Sequence, residues 1–397
     1  MRNLELYIHT PFCVKKCEYC DFLSFSSDDN TQARYVHALL QEIKYYGSLM
    51  KNYRVSTIYI GGGTPSWLDE NLMTAVMKQV HESFSIAPDA EISIECNPGT
   101  VTEAKLRKYL ASGINRLSIG LQSGDNEELK LLGRIHTYEQ FLKTYEFARS
   151  VGFNNINIDI ISGLPYQTAR KYGETLQKVI RLKPEHVSAY SLIIEKDTPF
   201  YETYKFDAVR QEAGLPTEVL PSEDEVYKMN KITQIVLKKA GYNQYEISNY
   251  AKRGFECRHN IGYWRRENYL GLGLGASSLV ENVRYSNTRE LYKYIEGCDN
   301  ITDVGEDIFV ANIHEEANVI NRQAQMEEFM FLGLRMNEGV YRNEFEKCFG
   351  LPIEAVYRDQ LEELKQEDLL EMREGRIYLT DKGMDLSNYA MAKFLMP

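Results

Sequence analysis

The sequence predicts an α/β protein built on a mainly parallel sheet, and three observations carry that expectation. Six short β-branched runs alternate with amphipathic stretches through the first half of the chain, glycines and prolines punctuate their ends, and unusual polar residues collect just after them. The expected strands are 4–9, 57–60, 91–95, 116–120, 157–161 and 187–192. Between them Met73, Val76, Met77, Val80 and Phe84 recur at helical spacing, and Thr137 with Gln140 reads as a capping box opening a helix that Gly152 closes. Six β-then-α units imply crossover helices on a parallel sheet. Periodicity alone permits either an open doubly wound sheet or an incompletely closed barrel.

A chain of 397 residues is long enough for about two or three domains with a full core. Its formal net charge of -11 argues against a broad phosphate-binding surface, so nucleic acid is not an expected partner. No apolar run approaches a membrane span and the N-terminus does not look like a signal peptide. A soluble, cytosolic protein with at most peripheral membrane contact is expected. The 28 tyrosines read as amphipathic packing residues rather than as a radical relay. Four of the seven cysteines, Cys96, Cys257, Cys298 and Cys348, are scattered and default to free thiols.

The other three are not scattered. Cys13, Cys17 and Cys20 follow the first strand with CxxxCxxC spacing. Three thiolates so close together can hold three irons of a 4Fe–4S cubane and leave the fourth open to the amino and carboxylate groups of a methionine-type cofactor. A structural zinc site completed by His9 is the competing reading, although such sites usually spread their ligands over two knuckles. The spacing, with Tyr19 immediately before the third cysteine, resembles the radical S-adenosylmethionine superfamily. That resemblance implies a partial (β/α)6 barrel, a 4Fe–4S cluster, and S-adenosylmethionine whose homolysis gives a 5′-deoxyadenosyl radical.

In a parallel α/β sheet the chemistry gathers at the carboxyl ends of the strands. The second expected strand ends in Gly61-Gly62-Gly63-Thr64-Pro65, the third in Glu95-Cys96-Asn97-Pro98, the fourth in Gln122-Ser123, and the fifth carries Asp159. The glycines allow close backbone approach to a zwitterion. Glu95, Gln122 and Asp159 suit ribose hydroxyls and an ammonium group, and Arg134 suits a carboxylate. Singly, each is as well explained by a helix cap or a loop hydrogen bond. Together they look like one pocket.

The run YIHTPFCVKKCEYCDF, followed by GGGTPS, ECNPG, IGLQS, GLP and a later EEFMFLGLR, is similar to the oxygen-independent coproporphyrinogen dehydrogenase family. By that resemblance Tyr7, Tyr19, Gly62, Gly63, Thr64, Glu95, Gln122, Arg134 and Asp159 correspond to cofactor-contacting positions, with Ile193 and Ser277 as further matches. Two departures argue against the dehydrogenase activity itself. Only six residues precede Tyr7, where those enzymes have a long extension, and Asp21-Phe22 follow Cys20, where they have a further cysteine. The run Cys257 to Trp264 also contains HNxxYW, which resembles the haem-chaperone branch, proteins that bind haem and pass it to acceptors. A neutral His259 imidazole is a good axial haem ligand, and Tyr263 and Trp264 offer flat faces to a macrocycle. Cys257 is a rival ligand, and a lone histidine in a polar loop beside two aromatics is otherwise ordinary packing.

Downstream, Gly271-Leu-Gly-Leu-Gly-Ala-Ser-Ser imitates a dinucleotide fingerprint but lacks its βαβ setting, and reads as a tight turn near the barrel mouth. Gly375 to Gly383 reads as a hairpin wing and the start of a helix. Between Leu351 and Glu374, eight acidic residues face only Arg358, Lys365 and Arg373, which favours packing or protein docking over DNA. The segment 200–249 receives no chemistry. The expected organisation is a radical S-adenosylmethionine partial barrel with its cluster and cofactor site over 1–200, an extension with the haem motif over 201–320, and a mainly helical, winged-helix-like domain over 321–397. The expected function is a haem chaperone carrying a 4Fe–4S cluster and S-adenosylmethionine. Its partners would be haem, a haem-acceptor protein, and an electron or haem donor protein. The alternative is a radical enzyme acting on porphyrins, whether a coproporphyrinogen dehydrogenase or one that methylates or opens haem. An RNA-modifying enzyme is disfavoured by the acidic balance.

Overall fold

A computed structural model describes residues 1–301, 310 and 312–396; residues 302–309 and 311 of the expected extension and residue 397 lie outside them. Six parallel strands form the centre in chain order: β1 (Arg2–Thr10), β2 (Tyr53–Gly62), β3 (Ile86–Cys96), β4 (Arg116–Gln122), β5 (Ile156–Ser162) and β6 (His186–Ser191). All six match the strands expected from the sequence, each longer by a few residues or displaced by one. Beyond β6 the sheet continues with β8 (Asn249–Ala251) and β7 (Asn243–Gln244), both antiparallel additions. Beyond β1 it continues with β9 (Tyr269–Leu272), parallel to β1, and then β10 (Ser277–Val280), β11 (Val283–Asn287) and β12 (His314–Val319). The order β12-β11-β10-β9-β1-β2-β3-β4-β5-β6-β8-β7 leaves two distinct ends, so the barrel is incomplete. The segment after residue 200 therefore extends the same sheet on both sides.

Short polar caps set the crossover helices. Asp28, Asp69, Thr102, Asp125, Thr137 and Thr168 each precede a helix, and each side chain accepts a hydrogen bond from a backbone N–H two or three residues on. Thr137 and Gln140 form the full capping box, and Gly152 ends that helix at φ +113°.

Side-chain alternation along the strands sorts two buried layers. Leu4, Leu6 and Ile8 of β1, Ile58 and Ile60 of β2, Ile92 and Ile94 of β3, and Leu117 and Ile119 of β4 join one hydrophobic core with the helices. Their neighbours Glu5, Thr57, Glu91, Ser93, Arg116, Ser118 and Asn157 are buried as well, yet polar. They line the inside of the barrel and many of them bond one another, although Glu5 Oε2 and Arg116 Nε have no hydrogen-bond partner among the described residues. Asp159 accepts from Ser118 Oγ at 2.9 Å and Asn157 Nδ2 at 2.8 Å, and Asn157 Oδ1 meets His186 Nδ1 at 2.6 Å.

The C-terminal module has its own core of Met330, Phe345, Tyr357, Leu361 and Phe394. It combines the helices Arg322–Gly333, Arg342–Phe349 and Ile353–Gln366 with a small sheet of β13 (Val340–Tyr341), β14 (Leu370–Arg373) and β15 (Arg376–Leu379). The β14–β15 hairpin is the expected wing. The module docks on the barrel through Arg335, whose guanidinium lies 4.3 Å from the Trp264 ring centre, and through Glu328, which pairs with Arg266 and Arg284.

Candidate functional site

The strand ends open into a cavity of about 360 Å³. Cys13, Cys17 and Cys20 all line it, and all three are free thiols. Most of the expected site residues join them there: Tyr19, Gly62, Gly63, Thr64, Glu95, Gln122, Arg134, Asp159 and Ile193. Tyr7 and Ser277 instead line a second cavity, and His259 lines neither.

The local geometry explains these residue types. At Gly63 a Cβ would lie 2.8 Å from the Phe12 carbonyl oxygen and 3.1 Å from Cys13 Sγ, so any side chain would push the cysteine loop away. Gly62 adopts φ +115° and offers its N–H to Glu95 Oε2 at 3.2 Å. Glu95 also accepts from the Tyr59 hydroxyl at 3.0 Å, and burial together with Asp159 pushes its carboxyl up to about 7. Gln122 sits at φ +69° at a β4 irregularity, a strained backbone for a residue with a side chain. Arg134 donates to Asn97 Oδ1 at 2.7 Å and the Gly120 carbonyl at 2.9 Å, with Nη1 3.6 Å from Cys17 Sγ. The guanidinium is thus a fixed hydrogen-bond donor aimed at a sulfur that would carry iron. The donor set therefore suits an iron–sulfur cluster.

His9 does not suit a zinc site. Its Nε2 meets the Leu23 carbonyl at 2.9 Å and its Nδ1 the Tyr7 hydroxyl at 3.0 Å, which occupies both ring nitrogens. Among the described residues no three His, Cys, Asp or Glu side chains converge on a single metal ion.

The second cavity, about 660 Å³, lies between the cysteine loop, β9 to β11 and the first helix of the C-terminal module. Tyr263, Trp264, Tyr269 and Phe22 give it aromatic walls, and Arg266, Arg284 and Arg289 reach it. Asp21, Phe22, Gly62 and Glu95 line both cavities, so the two share a wall.

The HNxxYW run is helical, Arg258–Trp264, rather than the polar loop expected from the sequence. Glu91 takes the backbone N–H groups of Arg258 and His259 at 3.3 and 3.4 Å, and a side chain at Gly262 would collide with Glu5. These contacts drive His259 into the barrel, where it is 1% exposed. Its Nδ1 lies 2.7 Å from Thr57 Oγ1 and its Nε2 3.1 Å from the Tyr263 hydroxyl. Its ring stacks on Tyr59 at 5.3 Å, and Tyr59 stacks on Tyr7 at 6.5 Å. Burial and Arg116 lower the imidazole to about 3, so it is neutral. Glu5 is pushed up to about 9 by burial and is a neutral acid. Burial pushes the Cys257 thiol up to about 12, which disfavours the thiolate a rival ligand needs.

Tyr59 and Arg289 were not singled out from the sequence. Tyr59 carries a signal in hindsight: it alternates with the outward Ile58 and Ile60 and so faces inward with Thr57. A single arginine such as Arg289, in a loop, carries none.

Three free cysteines after the first strand of a partial (β/α)6 barrel, gathered with a glycine turn at the strand ends, define the radical S-adenosylmethionine class. The radical SAM superfamily model matches residues 7–179, and the HemN C-terminal domain model residues 320–386. Heme chaperone HemW of Lactococcus lactis subsp. lactis (strain IL1403) is 36% identical, over 98% of this chain and 97% of its own. Heme chaperone HemW of Escherichia coli (strain K12) is 34% identical, over 99% and 98%. The solved coproporphyrinogen III oxidase (HemN) from Escherichia coli, a radical SAM enzyme, superposes with a TM-score of 0.83 at 26% identity and covers 100% of this chain and 90% of its own. The chain belongs to the Heme chaperone HemW family.

Proposed function

We propose that this protein binds haem and hands it to acceptor proteins, and that the larger cavity is where haem sits. The observation that carries this reading is a cavity of about 660 Å³ with Tyr263 and Trp264 of the HNxxYW helix in its wall and the cysteine-lined cavity next door. Its volume falls in the range of about 300–1,000 Å³ that small-molecule sites occupy. The relatives named heme chaperones support it along nearly the whole chain.

Cys13, Cys17 and Cys20 would hold a 4Fe–4S cluster, which supplies one-electron chemistry when bound. Gly62, Gly63 and Thr64 would receive the methionine end of S-adenosylmethionine, with Glu95, Gln122 and Asp159 around its polar groups. Arg134 would steady the Cys17 thiolate as well as a carboxylate. Tyr7 and Ser277 border the haem side, and Ile193 and Tyr19 the nucleoside side. His259 lines neither cavity and bonds the Tyr263 hydroxyl through Nε2, so it would supply an imidazole to haem iron only with that hydrogen bond broken.

A porphyrin-modifying enzyme is the second reading, favoured by the full-length likeness to HemN. Anaerobically reconstituted protein should bind haem stoichiometrically, release it to an apo-haem protein, and leave coproporphyrinogen unchanged in the presence of S-adenosylmethionine and a reductant. Protoporphyrinogen formation would establish the enzyme reading instead.

A further inference from the structure

The structure points to Arg289 as the residue that reads the acidic edge of the ligand in the larger cavity: we propose that its guanidinium takes one carboxylate of a planar tetrapyrrole diacid lying against Tyr263 and Trp264. This rests on the haem-chaperone reading and adds which end of the ligand the chain recognises. Three arginines reach this one cavity in a chain whose formal net charge is -11. Two are already committed, since Arg266 Nε and Arg284 Nη1 donate to the two oxygens of buried Glu328 at 2.7 and 2.8 Å. Arg289 is different: among the described residues it has no hydrogen bond and no ion pair.

Its position is set by the backbone around it. Arg289 follows β11 and precedes the helix Leu291–Asp299, and its Cγ lies close to Gly275, where a Cβ would approach it to 3.7 Å. From there its charge acts on His9, lowering that imidazole together with burial. Leu23, Leu279 and Leu332 make the neighbouring walls apolar. A planar donor fork at the rim of an apolar, aromatic cavity matches a carboxylate attached to a flat ring. The other two guanidinium groups of the cavity share the single carboxylate of Glu328, which leaves Arg289 as the uncommitted one.

The experiment is a spectroscopic titration of the anaerobically reconstituted full chain with ferric haem and with its dimethyl ester, in wild type, Arg289→Gln and Arg289→Lys. Wild type should prefer the free acid to the ester. Arg289→Gln should weaken haem binding by about 10- to 100-fold, the loss of one hydrogen bond to a charged group, with ester binding unchanged. Arg289→Lys should recover part of the loss. Because Arg289 is exposed and unpartnered, unchanged ester binding also reports an intact fold. Equal affinity of wild type for acid and ester, or wild-type haem affinity in Arg289→Gln, overturns this inference alone. A wild-type chain that takes up neither ligand overturns it together with the reading beneath it.

Discussion

His259 Nε2 lies 3.1 Å from the hydroxyl of Tyr263, one helical turn further along the same short helix. With Thr57 on Nδ1, the imidazole has no spare nitrogen in this conformation. Iron ligation by His259 therefore competes with one hydrogen bond, worth about 1 kcal/mol net. Tyr263→Phe should bind haem about fivefold more tightly if Nε2 is the ligand. His259→Ala should shift the Soret band and lower affinity while iron and sulfide content persist. An unaltered spectrum in His259→Ala, with only a lower unfolding temperature, would make the histidine a packing residue.

The cysteine loop is held against Gly63 with no room for a methyl group. Gly63→Ala should lower cluster yield and cost about 1–3 kcal/mol of stability, as overpacking does. Cys17→Ser removes a thiolate outright and should abolish the cluster, leaving Arg134 without its sulfur partner. Iron and sulfide assays after anaerobic reconstitution read both outcomes.

Gln122 and Asp159 approach the smaller cavity from neighbouring strands. Gln122→Ala and Asp159→Ala should each weaken S-adenosylmethionine binding by about 1–3 kcal/mol, the range for lost hydrogen bonds at a buried site. Asp159→Ala should also lower stability, because Ser118 and Asn157 lose their acceptor inside the barrel. Calorimetric titration separates the two effects, and unchanged affinity in both variants would make these strand ends structural.

His136 gives a pH signature independent of any ligand. Burial and then Arg134 lower its imidazole to about 3, and its Nε2 has no hydrogen-bond partner. Between that value and the ordinary histidine pKa of about 6.5, the unfolded chain binds a proton that the folded chain refuses. Its contribution to stability is thus complete above about pH 6.5 and is lost as the pH falls towards 3, on the order of 5 kcal/mol in all. Urea unfolding at pH 7 and pH 5 should show wild type losing more stability than His136→Asn. Parallel losses would mean that the site is open to water in solution.

The six central strands were legible because each combined a β-branched run with a turn signal at its end, and the capping box at Thr137 gave a helix start to the residue. Of the glycine run expected to be a turn, only the middle is one: Gly273 and Gly275 take φ +98° and +65°, while Gly271 and Leu272 end β9 and Ser277 and Ser278 begin β10. The polar inner layer was not legible. When both faces of a strand are buried, alternation no longer separates inside from outside, so Glu5, Thr57 and Arg116 look like surface residues in the sequence. His259 was visible only as part of a motif. Its depth depends on Glu91 and Glu5, which lie far away in sequence and carry no local sign of the contact.

The wall formed by Asp21, Phe22, Gly62 and Glu95 makes each cavity part of the other's boundary. A ligand on one side that shifts any of these four residues would change the surface met by a ligand on the other, and the two binding events would then be thermodynamically linked. Such linkage is reciprocal: whatever factor S-adenosylmethionine applies to haem affinity, haem must return to S-adenosylmethionine. With S-adenosylmethionine in the smaller cavity and haem in the larger, occupancy of one would set how firmly the chain grips the other.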